Sequence, residues 1–186
     1  ATTEIYTLSL HDALPIYPMH FTTNHDENSW EGTTEDLLGE AAEIMTVLTF
    51  TLPGIPLIYS GQEAGLDKQL LFFEKDEINW DDLSMQQFYE QLVRLKKENE
   101  ALWNGDYGGD ISFLETADEH VLAFTRKKAD NEVIVVMNLS PDVKVAHVNI
   151  GKLAGEYKMY FNVEKVQLNG DEKFNLNPWE YHVFIK

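Results

Sequence analysis

The sequence predicts an α/β segment followed by an all-β module: the last two β/α units of a (β/α)8 barrel, and then an antiparallel β-sandwich. Between residues 17 and 105, short apolar runs alternate with longer stretches whose apolar residues recur at helical spacing. From residue 106 onward, short β-rich runs are separated by turn residues. Polar side chains follow both apolar runs of the first part, as active-site loops follow barrel strands.

The first part contains two predicted β/α units. A strand over 19–24 precedes a helix over 33–52, which Pro53 stops. A second strand over 55–60 leads through a polar loop to a last helix over 84–99, whose first and fourth residues form a predicted capping box. Two units cannot close into a barrel by themselves. Since parallel strands present their carboxyl ends together, we expect both strand ends to lie on the same side.

The second part, residues 106–186, is a separate predicted domain. The spacing of its turns, at 129–131, 140–142 and 169–171, is typical of an antiparallel sandwich. Strands are predicted over 111–115, 121–126, 133–139, 143–150, 156–161, 165–168 and 181–185.

The composition excludes several classes of function. The net charge is −18, from 32 acidic and 14 basic residues, so nucleic acid is a poor partner. No apolar run approaches the roughly 18 residues that a membrane helix needs. Without cysteine, disulfides and cysteine-based metal sites are impossible. A neutral, hydroxyl-rich ligand such as a sugar is not repelled by this negative charge.

Residues 1–16 are predicted to be foreign to the fold. They can be back-translated into a DNA string that resembles a widely used sequencing adapter. We interpret them as a cloning or assembly scar, so the pair His11 and Asp12 carries no chemistry. A targeting signal would lie upstream of this scar, and no localisation is therefore predicted.

Two motifs carry a resemblance to a known family. Residues 21–26, FTTNHD, resemble the fourth signature region of glycoside hydrolase family 13, the α-amylase family. Residues 53–63, PGIPLIYSGQE, resemble the last barrel strand of that family. Residues 121–124, 135–139 and 178–181 are similar to its C-terminal domain. The resemblance implies an α-1,4-glucan hydrolase acting on starch or maltooligosaccharides.

The resemblance also implies roles for individual residues. Asp26 matches the third essential carboxylate of the family, a transition-state stabiliser, and His25 matches the histidine that contacts the same sugar. Hydrogen bonds to ring hydroxyls that strengthen as positive charge develops lower the barrier, and a carboxylate is the strongest acceptor for them. Asn24 and Trp30 are further candidates for substrate binding. Residues 62–63 are expected either to line the site or to support the strand end.

Two catalytic groups should lie upstream of this chain. A retaining glycosidase needs a nucleophile and a general acid, two carboxyl groups about 5 Å apart. In this family they belong to earlier barrel strands, so Glu27 and Glu63 are not assigned to these roles. We therefore expect the chain alone to be inactive and to fold only from a point between Ser84 and Asp110.

Other interpretations stay open. The parent protein could be a transglycosidase or a sucrose- or trehalose-acting relative, or the chain could be a non-catalytic sugar-binding or interaction fragment. Loop aromatics Phe72, Phe73 and Trp80, like Trp30, could stack on sugars or belong to a small core. No cofactor or metal is predicted; calcium is possible, but no run of oxygen ligands supports it. The oligomeric state is left open.

Overall fold

The computed structural model describes residues 17–186, so the hypothesis about residues 1–16 lies outside the described residues. In the described part, two short strands and three α-helices precede eight further strands. None of the helices in this part is both long and apolar enough to cross a membrane.

The first two strands pair in parallel, as the alternation of strands and helices predicts. β1, Met19–His20, lies beside β2, Ile55–Pro56, with Met19 opposite Ile55. Backbone hydrogen bonds from the amide of Ile55 to the carbonyl of Pro18 and from Leu57 to His20 hold the pair together. Both strands are shorter than predicted, because among the described residues each has only the other as a ladder partner.

The helix predicted over 33–52 is interrupted. α1, Thr34–Leu38, is followed by a 3-10 turn that begins at Gly39, and α2 spans Ala42–Thr51. The break falls at Gly39, whose φ of 50° lies in the left-handed region that favours glycine. The predicted start is confirmed: Thr33 caps α1 in a capping box with Asp36.

The last helix, α3, spans Gln86–Glu98, close to the predicted 84–99. The capping box predicted for its start is wrong. Met85 occupies the N-cap position and makes no side-chain cap, because the helix begins later than the sequence pattern indicated. The amide of Ser84 instead donates to the carboxylate of Asp82, at 2.9 Å, in the preceding turn.

Residues from 110 onward form two antiparallel sheets, which confirms the antiparallel prediction. The strands are β3 Asp110–Phe113, β4 Val121–Lys128, β5 Asn131–Asn138, β6 Lys144–Asn149, β7 Gly155–Met159, β8 Lys165–Leu168, β9 Asp171–Leu176 and β10 Tyr181–Ile185. Six of them form one sheet in the order β3-β4-β5-β10-β7-β8, and β6 pairs with β9 in the second sheet.

One strand, β9, was not predicted. Its first half is charged, but Phe174 and Leu176 alternate with exposed residues, which is the pattern of a half-buried strand. Phe174 lies opposite Ala146 of β6. The turn before β9 does not close a hairpin with β8, because the chain crosses there from one sheet to the other.

The six-stranded sheet is buried on both faces. One face packs on the β6–β9 pair through Val121, Ala123, Ile134, Val136, Ala146, Val148, Leu176 and Phe184. The other face is covered by α2 and α3 through Ile44, Val47, Phe50, Leu92, Leu95, Phe124, Val133, Val135, Met137 and Val183. The core between the helices and the six-stranded sheet therefore contains residues from both sides of position 105, where we expect the domain boundary.

A buried arginine connects the helical layer, formed by α2 and α3, to the six-stranded sheet through hydrogen bonds. Arg126 in β4 is 1% exposed. Its guanidinium donates to the carbonyl oxygens of Gly109 at 3.0 Å, Thr51 at 3.3 Å, Leu102 at 3.2 Å and Trp103 at 2.6 Å. Because these carbonyls come from the end of α2 and from the segment after α3, one side chain connects three parts of the chain.

Lys96 of α3 reinforces the same junction. Its ammonium group donates to the carbonyl of Leu102 at 2.9 Å and to that of Phe50, near the end of α2, at 3.4 Å. Cations are favoured near a helix C-terminus, where carbonyl groups point outward. Burial and then the charge of Arg126 lower the pKa of Lys96 to about 8. Two cations therefore lie near each other at this junction. The backbone carbonyls that accept their hydrogen bonds offset the repulsion between them.

The core that α2 and α3 share with the sheet predicts a longer protease-resistant fragment of the purified chain than the sequence does. We expect the protected fragment to begin before Ala42 and to contain both α2 and α3, because their removal would bare one face of the sheet. Mass spectrometry of the protected fragment would locate its start. A stable fragment beginning near Asp110 would show that the sheet does not need its helical layer.

Candidate functional site

The candidate site begins at the carboxyl end of β1, where Asn24 organises the chain. Its side-chain oxygen accepts hydrogen bonds from the amides of Asp26 at 2.8 Å and Glu27 at 3.0 Å. These bonds turn the chain at Asn24. A short π-helical turn, Glu27–Glu31, follows, with Asp26 at its N-cap position and no side-chain cap. Asn24, predicted as a substrate-binding residue, therefore positions its two neighbours through its side-chain oxygen.

His25 and Asp26 follow Asn24 directly, and their side chains face outward. Their side chains are 68% and 61% exposed, and the Nε2 atom of His25 lies 3.5 Å from the Oδ2 atom of Asp26. Within the described residues, neither side chain is committed to a buried network. Both are therefore free to hydrogen-bond a ligand that approaches this end of the strands.

The ends of β1 and β2 are joined by Gln62. Its buried side chain donates from Nε2 to the hydroxyl of Thr22 at 2.9 Å and accepts from the amide of Tyr59 at 2.8 Å. The carboxylate of Glu63 accepts from the amide of Gly61 at 3.2 Å, within its own loop. Of the two roles left open for residues 62–63, these contacts favour support of the strand ends.

Sequence reasoning missed Asn28, which holds the loop after β2 against the turn after β1. Asn28 is 1% exposed. Its Nδ2 donates to the carbonyl of Lys68 at 3.1 Å, and its Oδ1 accepts from the amide of Leu70 at 2.8 Å. No sequence signal distinguishes it from the other polar residues of this loop, because its two partners are remote in the sequence.

Aromatic rings from both loops gather beside His25. The ring of Phe72 lies nearly parallel to the imidazole of His25, with centroids 6.0 Å apart and an interplanar angle of 23°. Phe72 also contacts Trp30, with centroids 5.3 Å apart, and Phe73, at 4.8 Å. We call Trp30, Phe72 and Phe73 the aromatic platform. Trp80, on the same loop, makes none of these ring contacts.

Two further features bear on the chemistry. A cavity of about 570 Å³ is lined by α3 and Glu63, and neither His25 nor Asp26 lines it. Among residues 17–186, no three histidine or carboxylate side chains gather in the way a metal site requires.

Comparisons with known proteins agree with this architecture. Residues 111–183 match the sequence model of the family described as Maltogenic Amylase, C-terminal domain. The α-amylase MalA of Haloarcula japonica is 29% identical over 152 residues, covering 75% of this chain and 21% of that protein. A 4-α-glucanotransferase of Thermotoga neapolitana is 39% identical over 49 residues, 26% of this chain and 11% of that protein.

A solved structure extends the likeness beyond the β module. The maltogenic α-amylase AmyB of Thermotoga neapolitana superposes with a TM-score of 0.73 at 18% identity, covering 90% of this chain and 40% of that one. The chain thus spans about a fifth of the curated α-amylase and two fifths of the solved one. The fold is that of the C-terminal region of α-amylase-type proteins. The β module resembles the C-terminal domain of maltogenic amylases, and the relatives that the chain matches include α-amylases.

Proposed function

We propose that the chain is the C-terminal part of a retaining α-glucan hydrolase that cleaves α-1,4 bonds in starch or maltooligosaccharides. In this proposal residues 17–105 supply the last two units of the catalytic barrel, and residues 106–186 form the C-terminal β-sandwich domain. The match of residues 111–183 to the maltogenic amylase C-terminal domain and the parallel pairing of β1 with β2 support this division. The α-amylase name of the relative MalA supports the reaction.

One observation carries the proposal: His25 and Asp26 stand exposed at the carboxyl end of β1, beside the end of β2. In β/α barrels, that end of the strands holds the catalytic groups. The hydrogen bonds to the Asn24 side chain and the buried bridge made by Gln62 fix the backbone around them. Such fixed support is what a site needs if its polar groups are to be preorganised for a transition state.

The chemistry assigned to these residues is stabilisation rather than bond breaking. The Asp26 carboxylate would accept hydrogen bonds from two sugar hydroxyls, which strengthen as the ring acquires oxocarbenium character. His25 would bind the same sugar, and Trp30 would flank it. The nucleophile and the general acid would come from strands outside this chain. Glu63 is assigned to neither role; its carboxylate accepts a hydrogen bond from the amide of Gly61 within its own loop.

The test compares this chain with the product of the complete gene. The chain alone is expected to release no sugar from maltoheptaose, because it lacks the paired carboxylates. The complete protein is expected to hydrolyse it, and NMR should show products with the α-configuration of the substrate. Sugar release by the chain alone, or inversion by the complete protein, would contradict the proposal.

A transglycosidase is the second candidate, and the likeness to a 4-α-glucanotransferase favours considering it. The two reactions share their covalent intermediate and differ in whether water or a sugar hydroxyl accepts the glycosyl group. Product analysis with maltotriose would separate them. Products longer than the substrate as the main outcome would establish transfer, whereas shorter products alone would establish hydrolysis.

A further inference from the structure

The sequence contains two Asn-Gly pairs, at 104–105 and at 169–170, and an aspartate follows each of them. We propose that Asn169 is a site of spontaneous deamidation, where the chain converts itself into aspartyl and isoaspartyl forms, and that Asn104 is protected from the same reaction. The local sequences are identical over these three residues, so the difference comes from how the fold holds each pair. This modification is independent of the proposed function.

The reaction needs only the two residues and water. The backbone nitrogen of Gly170 attacks the side-chain carbonyl carbon of Asn169, and the new carbon–nitrogen bond closes a succinimide ring. The bond from that carbon to the amide nitrogen breaks, and ammonia leaves with the proton that the backbone nitrogen gives up. Water then opens the ring. Attack at the side-chain carbonyl gives aspartate, and attack at the backbone carbonyl gives isoaspartate. The net change exchanges ammonia for water, without oxidation or reduction.

Asn169 and Gly170 are open to this reaction. Both are exposed, in the connection where the chain crosses from β8 in one sheet to β9 in the other. Among residues 17–186, the side chain of Asn169 has no hydrogen-bond partner and the amide of Gly170 has no acceptor. A Cβ atom built on Gly170 would meet no atom of this part of the chain within 4 Å, apart from its chain neighbours. The two reacting groups can therefore approach each other freely.

Asn104 is held by contrast. It is half-buried, and its side-chain oxygen accepts a hydrogen bond from the amide of Gly54 at 3.0 Å. Gly105 begins a 3-10 turn at a φ of 58°, and a Cβ atom there would lie 2.2 Å from the hydroxyl of Tyr17. The side chain of Asn104 must leave Gly54 before it can reach the nitrogen of Gly105. Only a locally opened state of this segment can therefore react.

Deamidation at Asn169 would act on the end of β6. The carbonyl of Gly170 accepts hydrogen bonds from the amides of Ile150 and Gly151, both at 2.9 Å. The amide of Asn169 donates to the carboxylate of Glu172. An aspartate at 169 places a second negative charge near that carboxylate, which repels it. An isoaspartate also lengthens the main chain by one carbon atom just before Gly170. The isoaspartyl form should therefore loosen the pairing of β6 with β9 more than the aspartyl form.

The first experiment follows deamidation of the purified chain in mildly alkaline buffer by peptide mass spectrometry. Conversion at Asn169 is expected to be at least about 10-fold faster than at Asn104, roughly the rate effect of one hydrogen bond that must break first. In concentrated urea, where the fold is lost, the two rates should converge. Equal rates in the folded chain, or a difference that persists in urea, would overturn the inference.

The second experiment tests the role of the backbone nitrogen with Gly170→Ala. The added methyl group crowds that nitrogen and should slow conversion at Asn169 by about 10-fold. The fold should tolerate it, because the site has space and Gly170 is outside the left-handed backbone region. Asn169→Gln, which would need a larger ring, should be nearly inert. Undiminished conversion in Gly170→Ala would show direct hydrolysis by water and contradict the mechanism.

The third experiment measures what the modification does to the fold. A chain aged until isoaspartate predominates at 169 is expected to unfold at a lower urea midpoint than the fresh chain. Asn169→Asp carries the charge without the longer main chain, so its midpoint should lie between the two. An aged chain with the midpoint of the fresh one would show that the pairing of β6 with β9 does not depend on this turn, against the proposed consequence.

Discussion

Asp26→Asn in the complete enzyme is expected to lower kcat for starch by at least about 100-fold while the fold remains intact. The substitution keeps the size and shape of the side chain but removes its charge, so a charge-assisted acceptor becomes a neutral one. Losing one preorganised stabilising group commonly costs 100- to 1,000-fold, about 3–4 kcal/mol of transition-state stabilisation. KM should change much less, because the lost interaction is strongest in the transition state.

The control for this prediction is Glu31→Gln. It removes an exposed carboxylate from the π-helical turn that follows Asp26 and should retain nearly full activity. Circular dichroism should show that both variants are folded like the parent enzyme. Near-normal starch hydrolysis by Asp26→Asn would remove Asp26 from the mechanism.

Arg126→Met is expected to destabilise the chain by at least about 3 kcal/mol. The methionine fills part of the same space, but the carbonyls of Gly109, Thr51 and Trp103 lose this donor. The carbonyl of Leu102 keeps its hydrogen bond from Lys96. Leaving a buried polar group without a partner costs about 1–3 kcal/mol, and several are affected at once. Urea unfolding followed by circular dichroism would measure the free energy of unfolding.

The matched control is Arg94→Met on α3. The guanidinium of Arg94 is exposed and lies 3.9 Å from the carboxylate of Glu98. An exposed pair of this kind contributes little, so a change within about 0.5 kcal/mol is expected. Equal losses for the two variants would show that the carbonyl contacts of Arg126 do not fasten the helical layer to the sheet.

The sequence by itself predicted most of the elements in their order and proposed a candidate site at residues 24–26. The spacing of short β-rich runs and turn signals predicted the antiparallel module. The motif at 21–26 indicated the site because its residue types follow a strand end. β9 was not predicted because its first half is charged and only Phe174 and Leu176 indicate a buried face.

Only the tertiary structure decided which residues support the site and where the core lies. Asn28, Gln62 and Arg126 act through partners that lie 17 to 75 positions away along the chain, and no local pattern records such distances. The packing of α2 and α3 on the sheet is likewise a long-range feature, because a sheet that is apolar on both faces must cover both.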